Sequence, residues 1–198
     1  MRTLLPLLLL VGCGDDGGSR ISADAAIDSP GSSIDAGPDA PPGATMKITS
    51  TAYVDGGVIP PAHVCASKGG MNLSPPLAIA NPPAGTMSYA VVLTDMTNGL
   101  VHSAIYDIPA ATLAIPADVD KVYAPPDVAG AHQTNNYSGS RGYAGPCPPG
   151  THTYQLKVYA LSTATVPTAT MNTTKDQLVT LLATNLGTAT LTATFTPP

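Results

Sequence analysis

The chain has 198 residues with 8 basic and 13 acidic side chains, and its formal net charge is -5. Because the sequence contains no basic cluster that could neutralise a phosphate backbone, nucleic-acid binding is not expected. All 13 acidic residues are Asp, and a sequence without Glu does not form long, salt-bridged helices or coiled coils. Sparse charge with frequent Thr, Val, Ala, Pro and Gly instead indicates a mainly β protein with many turns.

The first residues are typical of an export signal. A short cationic start is followed by an apolar run from Leu4 to Val11, which is too short to cross a membrane as a helix. The stretch from Leu10 to Cys13 resembles the bacterial lipobox, in which the Cys is lipidated and becomes the first residue of the mature chain. Residues 1–12 are therefore predicted to be a lipoprotein signal peptide, and Cys13 is predicted to anchor the chain to a membrane. The alternative is an ordinary cleaved signal in which Cys13 has no role.

The segment after Cys13 is predicted to be a tether. Residues 13–45 are mostly Gly, Ser, Asp, Ala and Pro, with six Asp against a single Arg20. Such a composition buries too little apolar surface to offset the entropy of ordering, and its like charges repel one another. The folded domain is therefore expected at 46–198, which is long enough to bury its own core.

Within 46–198, β-branched enrichment and turn residues predict six strands. They lie at 47–54, 76–80, 88–95, 101–108, 152–161 and 188–196. One late helix is expected, with Thr173 or Thr174 as its N-cap, an apolar face that includes Leu178, and Gly187 as a left-handed C-cap. Strands that precede one helix, without strand–helix alternation, predict a two-sheet β-sandwich with a peripheral α-helix.

Two of these strands suggest where a binding site lies. The segment 88–95 is apolar without alternation and so suits a central strand covered on both faces. In 152–161 the period of two places His152, Tyr154 and Leu156 on one face. Because this row is polar at its start and apolar further along, it would line a pocket at the rim of the sandwich.

Four motifs occur in order along the domain. They are D-G-G-x-I-P at 55–60, N-x-S-P-P-L at 72–77, the stretch from Asp95 through His102 to Pro109, and G-Y-x-G-P-C-P-P-G-x-H-x-Y at 142–154. Together they resemble the phosphatidylethanolamine-binding or Raf kinase inhibitor-like family, in its bacterial branch, over nearly the whole of 46–198. The resemblance implies a Greek-key antiparallel β-sandwich with a small rim pocket for phosphate and similar anions.

The resemblance also implies which residues form that pocket. They are Asp95, His102, Pro148, Pro149, His152 and Tyr154. The residue types agree with this role, because prolines give a rigid wall and the imidazoles and the phenol can donate to an oxygen-rich ligand. Asp95 beside an anion must be protonated, hydrogen-bonded to a His or opposite an ammonium group. With no Lys or Arg in the matched set, weak binding at millimolar to high micromolar levels is expected, or about 4–6 kcal/mol.

The sequence departs from the family pattern at three places. The family usually carries D-P-D-x-P and, after a longer loop, H-W, where this chain has Asp95-Met96-Thr97 and His102-Ser103. One pocket wall should therefore be shorter and less rigid. In the common H-R-Y, the basic residue is replaced by Thr153.

Cys65 and Cys147 remain after Cys13 is assigned to the anchor, and an even pair in an exported protein commonly forms a disulfide. The alternative is two buried free thiols.

His63 and His132 lie outside the motifs and are interpreted as surface residues. No Cys or His pair has the spacing of a metal site, so no metal or other cofactor is expected. Ser74 is interpreted as a turn residue and not as a nucleophile.

These observations favour a binding protein over an enzyme. We expect a bacterial membrane-anchored lipoprotein on the periplasmic or cell-surface side that binds a small anion or a phospholipid headgroup, with a protein partner as a further expectation. One alternative is an inhibitor of a protease or other enzyme. The other is a weak hydrolase that uses Asp95 and His102 as acid and base, although nothing in the sequence supplies an oxyanion hole.

Overall fold

The computed structural model describes residues 45–198. The predictions for the signal peptide, for Cys13 and for nearly all of the tether therefore lie outside the described residues. Within the described range the chain forms nine strands and one α-helix. They are β1 (Lys47–Thr49), β2 (Gly57–Val58), β3 (Leu77–Ala80), β4 (Ser88–Asp95), β5 (Leu100–Pro109), β6 (Ala114–Ile115), β7 (His132–Gln133), β8 (His152–Leu161), α1 (Lys175–Leu181) and β9 (Gly187–Phe195).

The strands form two sheets. One has three strands in the order β1-β3-β6, and the other has six in the order β2-β9-β8-β4-β5-β7. The prediction of a mostly β fold with two sheets and one late helix is confirmed. The prediction of purely antiparallel pairing is wrong at one edge, where β2 runs parallel to β9. Parallel neighbours need a long connection, and here nearly the whole domain lies between the two strands.

The large sheet is covered on both faces, as the apolar run of β4 predicts. Tyr89 and Leu93 pack between the two sheets with side chains from the three-stranded sheet. Val92 points to the opposite face, where it belongs to a second cluster with Leu178 and Leu182. The helix and the loop before it therefore close the outer face of the sheet.

Most strand bounds agree with the sequence, and the exceptions have local causes. The first strand ends at Thr49 and not at residue 54, because the Ser50 hydroxyl donates to the Pro76 carbonyl at 2.6 Å and accepts from the Ala52 N–H at 3.1 Å. This side chain turns the backbone away from the sheet. The sequence does not predict the strands β2, β6 and β7, because each has only two residues and therefore shows no periodicity.

The helix begins as predicted and ends earlier. Thr174 is the N-cap and forms a capping box with Gln177, each side chain bonding the other residue's backbone N–H. Leu182 is the C-cap, and Asn185 donates to the Leu182 carbonyl at 2.9 Å. The prediction that Gly187 caps the helix is wrong, because Gly187 is the first residue of β9.

Candidate functional site

A buried carboxylate marks the end of the central strand. Asp95 is the last residue of β4, lies opposite Tyr154 of β8 and is 2% exposed. One carboxylate oxygen accepts from the Thr97 N–H at 2.9 Å, and the other accepts from Nδ1 of His152 at 2.6 Å. Burial raises the pKa of Asp95, but the hydrogen bonds from His152 and Thr97 outweigh it, so the pKa lies below its ordinary value. Asp95 is therefore ionised at neutral pH.

His102 reaches the same place through a β-bulge. In the pairing of β4 with β5, Leu93 lies opposite Ser103 and Thr94 opposite Val101, so His102 is the extra residue. A bulge re-aims a side chain. The His102 ring here packs edge-on against Tyr154, with 5.3 Å between ring centroids, and its Nδ1 lies 3.0 Å from the Ala144 carbonyl.

The tautomers of both imidazoles follow from their acceptors. A carbonyl and an ionised carboxylate only accept, so Nδ1 carries the proton in His102 and in His152. Burial lowers the pKa of His102, which keeps that ring neutral at pH 7 and leaves Nε2 as an acceptor. Burial and the Asp95 carboxylate raise the pKa of Tyr154, which therefore remains a protonated phenol.

The wall of the site opposite these side chains is the segment 145–150, which we call the proline-rich segment. It is bonded to another loop. Cys147 precedes Pro148 and Pro149 and forms a disulfide with Cys65, with an S–S distance of 2.07 Å. The Cys65 N–H also donates to the Pro146 carbonyl at 2.9 Å. Two distant parts of the chain are thus joined next to the wall, and the sequence prediction of this disulfide agrees with the structure.

The turn after β4 forms another wall and is tied to β8. The Met96 N–H donates to the Thr153 carbonyl at 2.8 Å, and the Thr153 N–H donates to the Thr97 hydroxyl at 3.0 Å. Thr97 stands where the family usually has its second acid. Here it holds the turn in place of the proline that this chain lacks.

All six residues that the sequence nominates line one cleft, which we call the inner cleft. Its volume is about 110 Å³. It is lined by Asp95, Asn98, Leu100, His102, Tyr137, Cys147, Pro148, Pro149, His152 and Tyr154. Sequence reasoning missed Tyr137, whose ring lies on His102 with 4.4 Å between centroids. It follows the short strand β7 in an irregular loop, so no local pattern points to it.

The imidazole that bonds to Asp95 is that of His152, whereas His102 bonds to a backbone carbonyl. The acid–base pair of Asp95 and His102 that a hydrolase would require is therefore not hydrogen-bonded.

The interpretation of His63 as a surface residue is wrong. His63 is 6% exposed, and its Nδ1 bonds the Leu73 carbonyl at 2.8 Å. Its own carbonyl accepts from the Tyr143 hydroxyl at 2.7 Å, so the residue helps to seat the proline-rich segment. His132 is half-buried and pairs with Asp107 at 3.1 Å, away from the inner cleft.

Residues 45–198 lack two kinds of feature. No group of three or more His, Cys, Asp or Glu side chains in this range has the arrangement of a metal site. None of the helices there has the length and apolar character that crossing a membrane requires.

Comparison with known proteins gives consistent matches. The family profile described as phosphatidylethanolamine-binding protein matches residues 49–196. A protein of Aquifex aeolicus, named as a UPF0098 protein, is 36% identical over 126 residues, which are 61% of this chain and 70% of that protein. A Mycobacterium tuberculosis protein with the provisional name lipoprotein LppC is 34% identical over 164 residues, which are 80% of this chain and 76% of that protein.

A solved structure has a similar fold. The crystal structure of Escherichia coli YbcL, described as a new member of the mammalian PEBP family, superposes with a TM-score of 0.70 at 31% identity. The match covers 77% of this chain and 99% of YbcL.

Proposed function

The chain belongs to the phosphatidylethanolamine-binding protein family, and from this premise we propose that it is a membrane-anchored, extracytoplasmic binding protein whose inner cleft holds a small phosphate-bearing anion. The observation that carries the proposal is the convergence of an ionised Asp95, two imidazoles and a phenol on one small cleft. No nucleophile in the cleft is activated by a neighbouring base, which favours binding over catalysis.

The charges of the cleft define the form of the anion. The Asp95 carboxylate accepts hydrogen bonds from Nδ1 of His152 and from the Thr97 N–H, and these donors weaken its repulsion of an anion. The neutral His102 presents an acceptor nitrogen, which matches the hydroxyl of a monoprotonated phosphate. When the ligand is phosphoethanolamine, its ammonium group can face Asp95. Because the acceptor nitrogen of His102 selects the monoprotonated phosphate, affinity for phosphate should fall as pH rises from about 6 to about 8 and the ligand loses its second proton.

Titration with inorganic phosphate or phosphoethanolamine, followed by NMR of the histidine side chains, tests the site. We expect shifts of His102 and His152 at about millimolar ligand, and loss of the His102 shift in His152→Ala. The matched control is His132→Gln, which alters the other Asp–His pair outside the cleft. Unmoved His102 and His152 signals at tens of millimolar ligand would exclude the site.

The anchor is supported by the lipobox-like stretch before Cys13 and by the similarity to the protein named lipoprotein LppC. Incorporation of labelled palmitate into the chain in a bacterial host, and its loss in Cys13→Ser, is the expected result. Absence of label from the unaltered chain would remove the anchor and leave the binding site unaffected.

A further inference from the structure

A second cleft adjoins the inner cleft, and we call it the outer cleft. Its volume is about 380 Å³, and Tyr137 lines both clefts. The phenol ring lies on His102 from one side, so it forms a shared wall. The two clefts therefore meet at this side chain.

The outer cleft contains a guanidinium without a carboxylate partner. One nitrogen of Arg141 donates to the carbonyls of Gln133 and Met171, at 2.9 and 3.2 Å. Arg141 forms no ion pair among residues 45–198. A guanidinium has five N–H donors, so several remain for a ligand. Lys175, by contrast, is paired with Asp176 at 2.6 Å.

The rest of the outer cleft is lined mostly by amides and hydroxyls. Asn135 and Asn172 are exposed, and their side-chain amides form no hydrogen bond with the described residues. An amide both donates and accepts, and a hydroxyl does the same, so the two groups are matched partners. Met171 is the large apolar side chain in the lining, which gives an acyl chain little surface to bury against.

We propose that the ligand is a phosphorylated polyol or sugar, with its phosphate in the inner cleft and its hydroxyl-bearing remainder in the outer cleft against Asn135, Asn172 and Arg141. This inference rests on the proposed function, because it extends the same site. The side chains that line the two clefts define the ligand class. The anionic group of the ligand would lie beside the imidazoles, and its hydroxyl groups would lie beside the amides and the guanidinium.

Calorimetric titration with four phosphomonoesters tests the inference. Methyl phosphate and octyl phosphate supply the shared phosphate with a minimal or an apolar remainder, and glycerol 3-phosphate and glucose 6-phosphate supply polyols. Glucose 6-phosphate should bind about tenfold more tightly than methyl phosphate, the equivalent of one to three net hydrogen bonds. Octyl phosphate should show no such gain.

Variants show which residues are responsible for the tighter binding of glucose 6-phosphate. In Asn135→Ala/Asn172→Ala the affinity for glucose 6-phosphate should fall to within about twofold of that for methyl phosphate, and methyl phosphate binding should be unchanged. Thr184→Ala removes an exposed polar group that lines neither cleft and should change nothing. His152→Ala should weaken all four esters together, because it acts on the phosphate.

The outcomes separate the two claims. If methyl phosphate binds but the polyol esters bind no better, or octyl phosphate binds best, the polyol inference is overturned and the anion site stands. If no ester binds, both fail. Phosphatidylglycerol vesicles carry a polyol phosphate on a lipid, and binding to them without binding of the soluble esters would overturn the assignment of a free polyol phosphate.

Discussion

Two Asp–His pairs in this domain use the same atoms in different surroundings. Asp95 and His152 face the inner cleft, whereas Asp107 accepts from the Val166 N–H at 2.6 Å and so ties the loop after β8 to β5. Asp107 has a left-handed φ of 57° at an irregularity in the pairing of β5. The residue types alone do not distinguish the two pairs, whereas their positions do, because Asp95 and His152 line the inner cleft and Asp107 and His132 do not.

Asp95→Asn should lower the free energy of unfolding at pH 7. Because the pKa of Asp95 is lowered in the folded state, its stabilisation is present above the unfolded value of about 4 and is lost as pH falls through the folded pKa. Charged hydrogen bonds of this kind contribute about 1.5–3 kcal/mol. Urea unfolding from pH 7 to pH 3 should show that the difference in free energy of unfolding between the variant and the unaltered chain becomes smaller as the pH falls.

The matched control for Asp95 is Asp118→Asn. Asp118 is exposed, and its carboxylate accepts no hydrogen bond from the described residues. The change should stay within about 0.5 kcal/mol at every pH. Equal stability of Asp95→Asn and Asp118→Asn at pH 7 would show that the His152 bond does not stabilise the fold.

At the scale of elements, the proline-rich segment depends on a close backbone approach. A Cβ at Gly145 would lie 2.1 Å from the His63 carbonyl oxygen, and the Gly145 N–H donates to the Asn72 side chain at 2.8 Å. Gly145→Ala should therefore displace the wall, cost about 3 kcal/mol of stability and weaken phosphate binding. Thermal unfolding and phosphate titration measure the two effects.

Gly150 provides the control for that segment. Nothing lies within 4 Å of a Cβ built there, so Gly150→Ala should change stability by less than about 0.5 kcal/mol. If Gly145→Ala and Gly150→Ala behave alike, the contact with His63 does not hold the segment.

The capping box of α1 sets a second element-scale expectation. Thr174→Ala leaves the Gln177 N–H without its side-chain acceptor and should cost about 1 kcal/mol. Thr180→Ala, at an exposed site in the same helix, should cost less. Because Leu178 of α1 covers the outer face of the large sheet, the loss should appear in global unfolding and not only as fraying. A loss confined to helix signals would contradict this.

The sequence predicts those elements whose own residues show a clear hydrophobic pattern. The strands β4 and β8 have long apolar or alternating runs, and their shared register brings Asp95 beside Tyr154. His102 is different, because its direction comes from a bulge that depends on the neighbouring strand. Tyr137 and the burial of His63 depend on contacts between loops that are distant in sequence, and no local signal records those contacts.

At the scale of the whole molecule, a cross-link ties one wall of the inner cleft to a distant part of the chain. The disulfide between Cys65 and Cys147 links residues 82 positions apart, with a Cα–Cα distance of 5.4 Å. It connects the loop that contains His63 to the segment that carries Pro148 and Pro149. The cross-link therefore restricts the unfolded chain and holds one wall of the cleft.

Replacing both cysteines, in Cys65→Ser/Cys147→Ser, should lower the free energy of unfolding by up to about 4.5 kcal/mol, the chain-entropy value for a closed loop of this length. Backbone bonds such as that from the Cys65 N–H to the Pro146 carbonyl remain in the variant, so the folded cleft should persist and phosphate should still bind under stabilising conditions. Urea unfolding with and without reductant measures the effect, and the reductant should change the stability of the unaltered chain but not that of the variant.

Peptide mapping without reduction should recover the two cysteines in one linked peptide. Their recovery as two separately alkylated peptides, or equal stability of the two proteins in oxidising buffer, would contradict the expectation.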